Sequence, residues 1–271
     1  MNVFFKIILI IIIFSFNIVK AEIINVENSY KNQNKNNEPT ITKYYKGTNS
    51  KLLIVFIAGG EGMFRFGPQK TEPTLTYYIN LKKITDKNFT SGNYDLVLLD
   101  SPYSLGDGTF NQIRIQRAST DHLNRIEDVI NFYKEKTKLP IILMGHSNGG
   151  VSVMEFIDYI LKNNSKNNLL SGIIMSGARD EANKFLKSAN IPIIFIHHKQ
   201  DNCSGTTYYG ALSAYERIKK QNVSASLITI ETGGPEGNLN PCNSGTHMYY
   251  GSNNEVPVKL DEELKKIFFK N

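Results

Sequence analysis

Short apolar runs alternate with amphipathic stretches along most of this chain. Lys51 to Ala58 (KLLIVFIA) is apolar at almost every position, carries β-branched residues, and stops at Gly59-Gly60-Glu61-Gly62. Such a run reads as a strand buried on both faces. Tyr94 to Leu99, Pro140 to Met144, Leu170 to Met175, Ile191 to Ile196 and Ala225 to Glu231 read in the same way. Between them the apolar positions recur at helical spacing, as in Val151, Met154, Ile157 and Leu161. This periodicity predicts helices over Ser119 to Lys136, Val151 to Leu161, Asp180 to Leu186, Thr207 to Lys220 and Asp261 to Phe269. Strands that alternate with helices predict a mostly parallel sheet with helices on both faces, an α/β architecture. Upstream, Glu22 to Val26 and Ile41 to Tyr45 are expected as antiparallel edge strands, joined by an Asn- and Lys-rich loop over Asn28 to Asn37. No repeat or interior linker divides the rest. One domain is expected over 51–271, with a lead-in over 22–50.

Composition changes this picture mainly at the start of the chain. The 271 residues, 41% of them hydrophobic, can bury a core without extra staples. Met1 to Ala21 stands apart: Lys6 precedes the apolar stretch Ile7 to Phe16, and Val19-Lys20-Ala21 ends in the small residue that a signal peptidase prefers. The run is short for a membrane span, so the expectation is a cleaved signal peptide and an exported protein, periplasmic or secreted. Proximity to a membrane follows only if that segment is retained as an anchor. Two lysines and no acids leave with it, so the formal net charge falls from +6 to +4. There is no Lys/Arg run of the kind that binds nucleic acid, and the surplus reads as solvated surface lysine. Two cysteines, Cys203 and Cys242, form an even count in an exported chain and are expected as a disulfide.

The candidate chemistry lies where Pro140-Ile-Ile-Leu-Met breaks into Gly145-His146-Ser147-Asn148-Gly149. A strand that ends at a serine with a glycine two residues away on each side can present the hydroxyl at the tip of a sharp strand-to-helix turn. A Gly/Ser turn between any strand and helix is the bland alternative. In this context the pattern resembles the nucleophile elbow of the α/β-hydrolase superfamily, and the resemblance spans residues 51 to 270. It implies the α/β-hydrolase fold. Only about 15 residues separate the run ending near Ser176 from Ile191, where lidded members insert a helical cap, so no large cap domain is expected. Met63 to Asn93 is the remaining stretch that could cover a site, with Met63, Phe64, Phe66, Tyr77 and Tyr78 serving as an apolar wall or as core.

A serine hydroxyl needs a base, and the base works best when an acid holds its other ring nitrogen. The superfamily's order is serine, acid, histidine. His122 and His146 precede Ser147, and His197 and His198 end the Ile191 strand. His247 alone follows the last strand and is the expected base. Asp201, just past the Ile191 strand, is the expected acid, with Glu231 and Glu236 as rivals. The resemblance also implies an oxyanion hole from the backbone N–H of Asn148 and one from the loop after the Lys51 strand, for which Gly60 is chosen. Many esterases of the superfamily carry His-Gly-Gly there, whereas this chain has Ala58-Gly59-Gly60. Cys203 lies two residues after Asp201 and Cys242 five before His247, so a bridge would clamp the acid's loop to the base's loop. The longer-than-usual insertion Gly234 to Thr246 makes such a clamp useful. A zinc site from His197, His198, Asp201, Cys203, Cys242 and His247 is the rival reading, and it leaves Ser147 unexplained.

These residues imply an exported serine hydrolase acting on a small-molecule or acylated substrate without a cofactor or metal. A carboxylic ester or thioester is preferred, with a serine peptidase or an acyltransferase of the same fold as alternatives. A non-catalytic envelope-binding protein on the same scaffold is the reading from another class.

Overall fold

In the computed structural model the described residues are 21–30, 37–66, 76–163, 168–234, 240–243, 245–252 and 254–269. The expected signal peptide lies outside them except for Ala21, and Glu236 lies outside them too. The strands are β1 Ala21–Val26, β2 Thr40–Tyr45, β3 Leu52–Ile57, β4 Tyr94–Asp100, β5 Ile141–His146, β6 Gly172–Ser176, β7 Ile193–His198 and β8 Ala225–Ile230. They form one eight-stranded sheet in the order β1-β2-β4-β3-β5-β6-β7-β8. Pairing is antiparallel from β1 to β2 and from β2 to β4, and parallel everywhere else.

Alternation along the strands builds a core on each face. On β3, Leu53, Val55 and Ile57 point to one cluster while Leu52, Ile54 and Phe56 point to the other. All six are buried, which is why the run reads as continuously apolar rather than alternating. Helices α2 (Phe110–Arg117), α3 (Thr120–Thr137), α4 (Gly149–Lys162), α5 (Asp180–Phe185) and α6 (Tyr208–Lys219) contribute Ile113, Ile126, Met154, Ala182 and Ile218 to the first cluster. Helices α1 (Thr76–Leu81) and α7 (Glu255–Phe268) contribute Leu81 and Leu260 to the second. Burying each such side chain contributes roughly 1.5–3 kcal/mol.

Among the differences from the sequence reading, two concern how helices pack. Helix α7 begins at Glu255, six residues earlier than expected, with Pro257 inside its first turn. A proline is tolerated there because the first four N–H groups of a helix have no intrahelical acceptor. Leu161, expected on the buried face of α4, is 37% exposed, while Val151, Met154 and Ile157 are buried. Between β6 and β7 the chain forms only α5, so no cap domain is inserted there.

The sheet order places the functional crevice. After β3 the chain passes to α1 on one face, and after β5 to α4 on the other, so the loops at the carboxyl ends of these adjacent strands diverge. Ligand sites of open parallel sheets form at such a switch point.

Candidate active site

Ser147 directly follows β5 in a left-handed backbone conformation, with φ of 55°. A non-glycine residue there costs roughly 1–2 kcal/mol, and the surroundings hold it in place. Its N–H donates to Ser176 O at 2.9 Å, and Gly150 N donates to Ser147 O at 3.0 Å. The flanking glycines are needed for space. A Cβ on Gly145 would lie 2.3 Å from Gly149 O, and one on Gly149 would lie 2.3 Å from Ile57 O. The β3 loop approaches equally closely, since a Cβ on Gly59 would lie 2.7 Å from Ser147 Cβ. Beside the serine, the backbone N–H groups of Gly60 and Asn148 meet no acceptor among the described residues. Gly60 has φ of +52° at the turn of its loop, and Asn148 caps the N-terminus of α4, where the helix dipole favours negative charge.

Asp201 and His247 meet next to one another, their side chains almost fully buried. His247 Nδ1 lies 2.8 Å from Asp201 Oδ2. His247 Nε2 is buried and has no hydrogen-bond partner among the described residues. Ser147, His247, Gly60 and Met248 line one cleft of about 290 Å³, with Phe64 and Tyr78 on its apolar side. No hydrogen bond joins Ser147 Oγ to His247 Nε2 in this rotamer, a contact that often tightens only with substrate bound. Ser147, Gly60, Asn148 and Arg179 border a second, more polar cleft.

Neighbouring groups define the charge state. Burial opposes ionisation of Asp201, yet hydrogen bonds from His197 and His247 outweigh it and hold the carboxyl well below its usual range. Its Oδ1 accepts from Cys203 N at 3.0 Å. His146 packs 4.9 Å from the His247 ring and 4.5 Å from Tyr77. Desolvation, followed by the nearby His247, pushes His146 well below the usual histidine value, so it stays neutral. Its Nδ1 lies 3.2 Å from Ser176 Oγ, which also meets the hydroxyls of Tyr77 and Tyr249.

Cys203 and Cys242 are joined by a disulfide with Cα atoms 4.6 Å apart. Thr246 Oγ1 adds a second tie between the same loops by donating to Gln200 O at 2.9 Å. Of the rival acids, Glu231 is exposed and paired with Lys199 at 2.7 Å, away from the cleft.

No protein-family model and no curated protein sequence matches this chain. Solved structures do match. A dienelactone hydrolase from Anabaena variabilis is 12% identical with a TM-score of 0.55, covering 92% of this chain and 97% of its own. An esterase from Pyrococcus furiosus is 10% identical with a TM-score of 0.58, covering 92% and 93%. A lidless serine hydrolase from Xanthomonas campestris is 7% identical with a TM-score of 0.54, covering 91% and 93%. The fold is that of the α/β-hydrolases.

Within this α/β-hydrolase fold two residues emerge that pattern reading did not assign. His197, the penultimate residue of β7, has no exposed side chain, and its Nε2 lies 3.0 Å from Asp201 Oδ2 and 3.2 Å from Thr206 O. Both neighbours are acceptors, so Nε2 carries the proton, and the buried Nδ1 is left without a partner. Thr206 Oγ1 lies 3.3 Å from both Asp201 Oδ2 and His247 Nδ1. His197 sits four residues before Asp201, a visible spacing, but nothing in the sequence says that the strand end turns its ring back onto the carboxylate. His198 points away and meets Thr232 O. Among the described residues no cluster of His, Cys, Asp or Glu is arranged to hold a metal ion.

Proposed function

We propose that this protein is a serine hydrolase that cleaves a carboxylic ester or thioester through an acyl-enzyme on Ser147. The observation that carries this reading is the shared cleft: it is lined both by a serine in a left-handed turn and by a histidine whose Nε2 is free and whose other nitrogen is held by a buried carboxylate. Ser147 Oγ attacks the substrate carbonyl carbon as its proton passes to His247 Nε2. Asp201 fixes the Nδ1–H tautomer and offsets the imidazolium charge. The negative oxygen accepts from the N–H groups of Gly60 and Asn148. When the tetrahedral intermediate collapses, the alcohol or thiol leaves with the proton from His247, and water repeats the sequence to release the acid and restore Ser147. Among the described residues no helix is long and apolar enough to cross a membrane, and the Cys203–Cys242 bond suits an oxidising compartment. The disulfide supports export, the reading that the Met1 to Ala21 signal implies.

A fluorophosphonate probe tests the reaction class. Labelling of the wild-type protein that disappears in Ser147→Ala, together with loss of p-nitrophenyl ester hydrolysis by roughly a thousandfold or more, is the expected result. A folded protein that stays unlabelled and inert toward esters of every acyl length would leave the binding-protein reading in its place.

A further inference from the structure

Arg117, the last residue of α2, is fully buried, and no carboxylate pairs with it among the described residues. Its Nη1 donates to Ser152 Oγ at 2.8 Å and its Nη2 to Gly60 O at 2.9 Å, with Ala58 O farther away at 3.5 Å. Its Nε has no acceptor. Ser152 Oγ also meets His122 Nε2 at 2.9 Å. Desolvation first, then the Arg117 charge, drives His122 down to about 3, so that ring is neutral. The cluster therefore carries one positive charge with no carboxylate in contact among the described residues, and Asp107 offsets it only through space. Burying a guanidinium this way destabilises a fold relative to an apolar side chain of similar size.

The charge lies directly behind the Gly59–Gly62 loop. The peptide that bears the Gly60 N–H sits between two others, and Arg117 grips the carbonyl of each: Gly60 O closely and Ala58 O more loosely. Asn148 Nδ2 reaches the same Gly60 carbonyl at 3.3 Å, which couples the β3 loop to the turn that carries Ser147. Gly60 has no Cβ to restrict its backbone, which sits at φ of +52°, so its peptide is oriented by its contacts: Gly62 N donates to Gly59 O at 2.9 Å within the loop, and Arg117 holds the carbonyls on either side.

We propose that Arg117 is a positioning residue for the oxyanion hole: it helps hold the Gly60 N–H toward the reacting carbonyl and adds a positive charge, paired with no carboxylate, behind it. This rests on the hydrolase reading above. The side chain touches no substrate, and its effect passes through the Gly60 peptide and through the field at the oxyanion.

Arg117→Met and Arg117→Lys, assayed with p-nitrophenyl acetate and with a boronic acid that forms a tetrahedral adduct on serine, test it. In Arg117→Met, kcat falls by about 10- to 100-fold while KM stays within about 3-fold. Affinity for the boronic acid falls in step with kcat, and Tm is unchanged or higher. Arg117→Lys keeps the charge but not the fork, and recovers part of the loss. An unchanged kcat overturns the proposal, as does a kcat loss that tracks Tm while boronic acid affinity stays at the wild-type value. If Arg117→Met fails to fold, Arg117→Lys decides: wild-type kcat and inhibitor affinity overturn the proposal, and a selective kcat loss with KM retained supports it. A wild-type protein that neither hydrolyses esters nor labels at Ser147 overturns the hydrolase reading itself, whereas a labelled wild type with a fully active Arg117→Met overturns only this inference.

Discussion

Ser147 shows how a single backbone angle can place a functional group. Its φ of 55° lifts the hydroxyl out of the β5–α4 corner, and that corner closes only because Gly145 and Gly149 leave room for backbone oxygens 2.3 Å from where a Cβ would sit. Gly149→Ala should therefore destabilise by about 2 kcal/mol or more, as the alanine methyl meets a β3 carbonyl that cannot swing aside. Urea denaturation within 0.5 kcal/mol of wild type would contradict that packing. At Asp201 the relevant quantity is the number of donors. Hydrogen bonds from His197 and His247 outweigh a desolvation that by itself favours the protonated acid, and the Cys203 N–H and Thr206 Oγ1 also reach the carboxylate. His197→Phe removes one donor and should lower kcat roughly 10-fold by loosening the carboxylate under His247, while His197→Gln, which can still donate, recovers part of it. Equal kcat in all three proteins would mean that Asp201 needs no second histidine.

Each catalytic candidate sits in a loop at the carboxyl end of a strand. The loops after β3, β5, β7 and β8 supply Gly60, Ser147, Asp201 and His247, and the sheet holds their starting points in register, with Ile57 opposite Gly145. The β8–α7 loop is the longest of these, and the Cys203–Cys242 bond anchors it to the β7–α6 loop, closing 39 residues of chain. In the chain-entropy treatment such a closure is worth about 4 kcal/mol. Replacing both cysteines with serine should lower Tm and kcat together, because Cys203 N is also a ligand of the Asp201 carboxylate. Thermal melts and steady-state kinetics of the double variant check this, and full activity after reduction would separate the bond from catalysis. Periodicity located these elements well where apolar runs were long. It placed the start of α7 late, at Asp261, whereas the helix begins at Glu255 and its first turn accommodates Pro257.

Across the whole molecule, function and stability draw on the same buried polar groups. His122 and His146 are buried and neutral, His122 with its value pushed down to about 3 mainly by desolvation. In both, the folded value lies below the unfolded one, so the unfolded chain binds more protons between the two. Their contribution is complete above about pH 6.5 and is lost on acidification, at about 1.4 kcal/mol per pH unit for each. Asp201 is also depressed, but it acts in a lower window: its contribution is present above the ordinary aspartate value and is lost as pH falls through its folded value. Urea midpoints measured from pH 7 to pH 4 should fall steadily, and His122→Gln should flatten the slope by about 1.4 kcal/mol per pH unit. An unaltered slope would mean that His122 is protonated in the fold.

What the sequence determined by itself is whatever depends on local pattern. Continuous apolar runs require strands covered on both faces, 3.6-residue spacing requires helices that cover them, and a glycine-flanked serine at a strand end requires a tight turn. The resemblance to the α/β-hydrolases supplied the chain order that pointed to Asp201 and His247, whose side chains the fold brings to 2.8 Å. Only the tertiary structure decided which way buried polar groups face. His197 turning onto Asp201, Thr206 between acid and base, and Arg117 behind the Gly60 loop join residues from separate elements. Nothing in a strand's or helix's own periodicity encodes a bond to another element, because periodicity reports which face is buried and not what that face meets.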